Sequence, residues 1–456
     1  MARDLIGTRR FEPERLEAAQ LAAQLQPRLQ DEGVRRVAIT WVNHAGSTLV
    51  KVVPIERLAA VARDGVGFSP VSDAWRVDGV PDPAHPQAVP DGDLRLVPDL
   101  RALLPIESET GWAWAPGDRW CRNGLLYPLD QRGFCRRQQT RLKAASVEVS
   151  MGFEIEWVVG SSEAGRSPAP ALAGGPYGAD RLMSGFDYVA ALTAALDAAG
   201  LPWLQIHPEY GPGQFELSLA AADPLTAADR HVAARLLIQR ITSRFGWLAT
   251  FSPLPDPAQV GNGGHLHLSV HRQGAPLLEG GHGAAGLPSA GEGLIGSLLH
   301  HLPALLAISC PLAISYDRLK PGHWSAPFQA WGVENREAAL RLIPAAADAA
   351  PAHLEMKVAD LSANPYLLCG SVLALIEEAL GQPRALPAPV VGDPSLMAEP
   401  PARLPVSLEV ASEAFASCGP LATAMGERLH HSLVASQQAE CRRAAALQEA
   451  TDGEGA

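Results

Sequence analysis

The chain reads as an α+β protein with two domains, and three observations point there. An N-terminal part carries paired β-rich runs beside a Gly-, Pro- and Asp-rich stretch, whereas from about residue 145 short β signals alternate with Ala/Leu-rich helical segments. Four of the later strands have one apolar face and one polar face, the mark of a sheet covered on one side. The 456 residues, 47% hydrophobic and 19% charged, suffice for two domains and a large core and do not describe a disordered chain.

In order, the first ~25 residues have a helical pattern. "GVRRVAITWVNHAGSTLVKVVPI" gives two β-runs joined by the turn-prone Asn43–Gly46, and "DLRLVPDL" gives a further short strand. These make an N-terminal domain over residues 1–110, with the rest, 111–456, forming the second. In that second part "GFDYVAALTAALDAAG" and "DRHVAARLLIQRITSRFG" read as helices. The stretch 381–402 is a Pro-rich excursion, and the polar tail after 446 is expected to fray.

Charge and apolar content exclude some classes. A net charge of −12 argues against a general nucleic-acid or anionic-membrane binder, though not against anionic small substrates. The most apolar window, "LLHHLPALLAISCPLAIS", is interrupted by histidines and prolines and reads as buried. Without a secretion signal, and with six scattered cysteines lacking C-x-x-C, the expectation is a cytoplasmic protein with reduced thiols.

The chemistry lies in the parity of four strands. In "GFEIEW", Phe153, Ile155 and Trp157 face one way while Glu154 and Glu156 share the other. Adjacent like charges on one face repel, so a solvated surface is the plain alternative. "GQFELSL" sets Gln214, Glu216 and Ser218 against Phe215, Leu217 and Leu219. "GHLHLSV" sets His265, His267 and Ser269 against Leu266, Leu268 and Val270, and "HLEMKV" sets His353, Glu355 and Lys357 against Leu354, Met356 and Val358. Recurring Glu and His suit a concave face around hard cations. Glu209 precedes Glu216 across a Gly-Pro-Gly turn that can fold it back, and Arg318, Arg336 and Arg341 supply phosphate- or carboxylate-clamping groups nearby in sequence. Neither a P-loop nor a Rossmann fingerprint is present.

Six segments in series, "GFEIEW", "HPEYGPGQFELSL", "GNGGHLHLSV", "SYDRLKPG", "NREAALRLIP" and "HLEMKVADLSANPYL", resemble the glutamine synthetase family over nearly the whole chain. The resemblance implies an N-terminal β-grasp domain and a catalytic domain on a curved antiparallel sheet flanked by helices. It also implies a homo-oligomer, commonly a ring-based dodecamer. It assigns Glu156, Glu209 and Glu216 to one Mg²⁺ or Mn²⁺ site and Glu154, His265 and Glu355 to another, with two or three cations per active site. Arg336 and Arg341 would hold ATP phosphates, with His267 and Ser269 on the nucleotide side. Arg318, Gly261 and Lys357 would bind the acid substrate. The implied reaction is ATP-dependent: glutamate is phosphorylated on its side chain, and an amine displaces the phosphate.

Departures from the family pattern narrow the nucleophile. Ammonia-using members carry a flap glutamate six residues after the arginine matching Arg318, where this chain has Trp324. An aspartate in their N-terminal domain aligns with Ser69, an arginine for the glutamate carboxylate with Lys357, and a lysine with Leu254. A glutamate–amine ligase resembling the gamma-glutamylpolyamine and gamma-glutamylamide synthetases is therefore expected, with Trp324 lining the amine site. An ordinary ammonia-using glutamine synthetase and a catalytically silent scaffold are the alternatives.

Overall fold

The computed structural model describes residues 13–107, 111–161, 169–346 and 351–454. The first β-runs form β1 (Arg36–Val42) and β2 (Thr48–Pro54), joined by the expected turn and followed by β3 (Val66–Phe68), β4 (Leu94–Pro98), β5 (Leu104–Glu107) and β6 (Trp112–Trp120). They make one sheet in the order β2-β1-β6-β4-β3, with β5 also on β6 and β1 parallel to β6. The helix Pro13–Asp31 buries Ala22 and Leu29 beside this sheet. The expected boundary at 110 falls on residues outside those described, and β6, which follows it, pairs throughout within the first sheet.

The second sheet comprises β7 (Val147–Ser161), β8 (Trp203–Pro208), β9 (Gln214–Leu219), β10 (Trp247–Thr250), β11 (Leu266–Arg272), β12 (Ala275–Pro276), β13 (Trp331–Val333), β14 (Leu340–Ile343) and β15 (His353–Met356). Its order is β13-β14-β15-β11-β7-β9-β8, antiparallel except for the β13–β14 pair, with β10 on the end of β7 and β12 on β11. The apolar parity face is buried as expected: Phe153, Ile155 and Trp157 of β7 lie in one core with Phe215, Leu217, Leu266, Leu268, Leu354 and Met356. The helices Gln131–Ala144, Pro224–Arg244, Ser289–Ser309 and Pro365–Gly381 contribute the rest of that core. Trp157, at its centre, donates its indole N–H to Tyr188 at 3.0 Å, and Tyr188 in turn meets Thr242 at 2.8 Å. A polar atom carried into an apolar core is thereby satisfied.

One sequence expectation changes and another holds. The tail after 446 continues the C-terminal helix, Glu427–Glu454. Ser289–Ser309 is long and apolar enough to cross a membrane, but 83% of its apolar window is buried inside the protein, as its interruption by His and Pro foretold. The Pro-rich excursion is a strap: Trp331 donates its indole N–H to Pro387 O at 2.8 Å, and Asn335 its amide to Gly392 O at 2.9 Å. Phe328, Ala330, Ala338 and Val390 form a small separate core beneath it.

Arginines and aspartates form a buried web near the junction of the two halves. Arg119, fully buried in β6, donates to Asp73 at 2.7 and 2.9 Å and to Asp130 at 3.0 Å. It also bonds Leu129 O and the Gln131 side chain. Arg132 binds Asp229, Asp118 and Asp99 at 2.7 to 2.9 Å. Removing one partner of such a pair strands a charge in low dielectric. Arg119→Met should therefore destabilise the fold by about 3–5 kcal/mol, measured as a lowered denaturant midpoint; a shift below about 1 kcal/mol would contradict this account.

Candidate active site

Strand register, beyond parity, assembles the polar face. β7 and β9 place Glu156 directly opposite Glu216, and β9 and β8 place Glu216 opposite His207. On the other side, β14 and β15 set Arg341 against Glu355, and β11 sets His267 against Glu355. Glu154, one residue pair along β7, lies between the two rows.

Glu154, His265 and Glu355 offer ligand atoms all within 4.8 Å of one another, matching one expected set. Nδ1 of His265 is 3.0 Å from Glu154 and 3.4 Å from Glu355, and Nε2 of His267 is 3.3 Å from Glu154. The other expected set, Glu156, Glu209 and Glu216, is divided between two triads that share Glu216. Glu156 and Glu216 converge with His265, while Glu209 and Glu216 converge with His207. Register places His207 there, 3.3 Å from Glu216 through Nε2. Parity within a single strand gave no sign of this.

Gly263 lets the backbone reach the carboxylate. Its N–H donates to Glu156 Oε2 at 2.8 Å, and a Cβ there would lie 2.4 Å from His265 Nε2 and 2.9 Å from Glu156 Oε1. Gln214 donates to the same oxygen at 2.9 Å. Gly261 is packed so closely that an added Cβ would lie 2.6 Å from Arg318 Cδ, which joins these two predicted residues. Arg318 is itself buried, with Nη2 on Ala359 O at 3.0 Å and Nε without a hydrogen-bond partner among the described residues.

The cluster's electrostatics are uneven. Burial, with Glu216 and Glu209 adding to it against His265, pushes the Glu156 carboxyl up to about 7. Burial also raises Glu154, but hydrogen bonds from His265 and His267 outweigh it and hold the group well below the ordinary carboxylate range. At Glu355 burial is outweighed by Lys357, His265 and His267, which bring it down to about 2. Two cations sit directly on Glu355: Arg341 at 3.0 Å and Lys357 Nζ at 3.4 Å. The Glu216 hydrogen bond lifts His207 to about 9. Five neighbouring glutamates with two imidazoles among them are oxygen-rich donors suited to Mg²⁺ or Mn²⁺, and their mutual repulsion is what such ions remove.

The remaining predicted residues lie in several elements. His267 and Ser269 share the polar face of β11, on the strand next to β15. Arg336 is exposed, and its guanidinium lies 5.9 Å from the centroid of the Trp324 ring, which is 56% exposed. Tyr177 was not singled out from the sequence. Burial and Glu209 raise its hydroxyl to about 12, and its ring lies 6.1 Å from that of His207. Ser69 uses its hydroxyl locally, accepting the Val71 N–H at 3.3 Å, and Leu254 is buried.

Residues 128–453 match the family model described as glutamine synthetase, catalytic domain. A gamma-glutamylpolyamine synthetase of Streptomyces coelicolor is 40% identical over 431 residues, spanning 92% of each chain. A glutamate–methylamine ligase of Methyloversatilis universalis is 27% identical over 77% of this chain and 79% of its own. Among solved structures, a GmaS/ADP complex superposes with a TM-score of 0.82 at 25% identity over 92% of this chain and 96% of that one. A novel glutamine synthase homolog gives 0.79 at 27% identity over 90% and 94%. The chain belongs to the glutamine synthetase family.

Proposed function

We propose that this protein is an ATP-dependent ligase that joins glutamate to an organic amine, forming a γ-glutamyl amide through γ-glutamyl phosphate. The observation that carries the reading is the cluster of glutamates and histidines on the polar face of the second sheet, and Trp324, standing where ammonia-using members carry a flap glutamate, favours an organic amine. The similarity to a gamma-glutamylpolyamine synthetase and a glutamate–methylamine ligase supports it. In this reading the protein is cytoplasmic, as its six free cysteines favour, and works as a ring-based homo-oligomer like others of its family.

Arg336 and Arg341 hold the ATP phosphates, and His267 and Ser269 line the nucleotide. Arg318, with Gly261 against it, and Lys357 bind the acid substrate. Glu154, His265 and Glu355 hold one divalent cation, and Glu156, Glu209 and Glu216 with His207 hold the other. When bound, these cations offset the charge of the β- and γ-phosphates. The glutamate side-chain oxygen attacks the γ-phosphorus and the bond to ADP breaks. The amine nitrogen then attacks the acyl carbon, and inorganic phosphate leaves with the electron pair. The chain's part is to position these groups and neutralise their charge.

Glu156→Ala should reduce turnover by more than about 100-fold while leaving metal-free stability unchanged or higher, because a mutually repelling buried carboxylate is gone. Near-wild-type turnover in the folded variant would remove Glu156 from the metal site. The pH dependence has a definite sign. Glu156 in the metal-free protein lies above its ordinary value, near 7, so its ionised form costs stability above that pH and a bound cation removes the cost. Mn²⁺ affinity, followed by calorimetry, should therefore rise with pH through 7, as Glu156 ionises, and level off only above about 9, where His207 has lost its proton too. Trp324 can hold an alkyl group or an ammonium head by cation–π attraction, so alkyl- or polyamines should be better substrates than ammonia. Trp324→Glu should shift the balance toward ammonia; a wild-type kcat/KM for ammonia above that for every amine tested would favour an ordinary glutamine synthetase.

A further inference from the structure

An aliphatic ammonium has a pKa of about 10, so at pH 7 only about one molecule in a thousand is free base. The amine therefore arrives carrying a proton that must leave before nitrogen can attack. Trp324 cannot accept it, and in the reading above the seven glutamate and histidine ligands are committed to cations. The search for an acceptor leads to Glu337, next in sequence to Arg336. Glu337 is only 6% exposed and lies beneath the Trp324 loop. Its Oε1 accepts the Trp324 N–H at 2.8 Å, and its Oε2 is buried with no hydrogen-bond partner among the described residues.

The local backbone explains how a carboxylate comes to sit there. Trp324 and Ala326 both adopt positive φ, 52° and 55°, an uncommon conformation for non-glycine residues that tertiary contacts must hold. One carboxylate oxygen clamps this loop, which leaves the other available. From the far side, Asn335 is tied to the strap by its side chain and accepts the Glu337 N–H at 3.0 Å. The next turn of chain enters β14 beside the site: Lys357 N–H donates to Ala339 O at 3.0 Å, and the Lys357 ammonium rests on Glu355. Glu337 thus holds the Trp324 loop with one oxygen and feels the ammonium of Lys357, which itself rests on Glu355.

We infer that Glu337 is the carboxylate that binds the amine substrate as its ammonium and takes the proton that frees its lone pair. This rests on the ligase reading above. The ammonium gives one proton to Glu337 Oε2, which later passes to solvent. The neutral nitrogen forms the C–N bond as the C–O bond to phosphate breaks, and the departing phosphate takes the second proton, leaving the amide and hydrogen phosphate. The groups facing Glu337 suit this task. Burial raises its carboxyl against the Trp324 and Ala326 N–H groups and Lys357, with Asp393 of the strap adding to the rise, so it is a stronger base than an exposed glutamate.

The test is Glu337→Gln, which keeps an oxygen acceptor for the Trp324 N–H while removing the base. Phosphate release would be measured with ATP, Mg²⁺ and glutamate, using either 1,4-diaminobutane or hydroxylamine, the latter neutral at pH 7. A loss of about 100-fold or more in kcat/KM for the diamine, with hydroxylamine turnover within about threefold of wild type, is the expected result. The diamine rate of the variant should also recover as pH rises toward the pKa of the amine. Equal losses with both nucleophiles would make Glu337 a loop clamp only and overturn the proposal, as would an unchanged diamine rate. Absence of ATP-dependent γ-glutamyl product from the wild type with any nucleophile would overturn the ligase reading itself, and this role with it.

Discussion

Carboxylates buried side by side repel, and the polar face of the second sheet is arranged around that repulsion. Its two ends answer it differently. At Glu355 the chain supplies its own cations, Arg341 and Lys357, and the carboxyl stays ionised. At Glu156 the neighbours are Glu216 and Glu209, a backbone N–H and the Gln214 amide, and the carboxyl is pushed up instead. The first end has two cations of the chain beside its carboxylate, whereas the second, among the described residues, has only the imidazoles of His265 and His207. Curved packing of β7, β9, β11 and β15 over one apolar core is what forces the two so close together.

Much of this was legible in the sequence because it depends on strand parity, a local property. Phe153, Ile155 and Trp157 are buried and Glu154 and Glu156 share the other face because side chains alternate along any strand. Matching that parity across four segments pointed to a polar face around cations, and the family resemblance supplied the ligand sets. What stayed hidden depends on register and on loops. His207 joins Glu216 only because β8 aligns with β9 as it does, and a single strand carries no record of its partner's offset. Tyr177 and Glu337 come from loops whose paths are fixed by contacts from distant parts of the chain. The first sheet shows the same limit, since β6 pairs with β1 in parallel across some seventy residues that local patterning does not join.

The flap shows how one backbone constraint serves two purposes. Trp324 is set at positive φ, its N–H is tied to Glu337 and its ring lies beneath Arg336. Arg336 and Trp324 therefore belong to one mechanical unit, anchored to the Pro-rich strap through Asn335. Displacing the strap would disturb Arg336 and Trp324 together.

The arginine–aspartate web around Arg119 and Arg132 restricts how this sequence can diverge. Each guanidinium serves several carboxylates contributed by separate segments: Asp73 and Asp130 for one, Asp99, Asp118 and Asp229 for the other. Any single replacement passes through a chain with an uncompensated charge in its interior. Neutral drift at these positions is therefore closed one step at a time and open only to concerted changes, so lineages should inherit the web whole or exchange it whole.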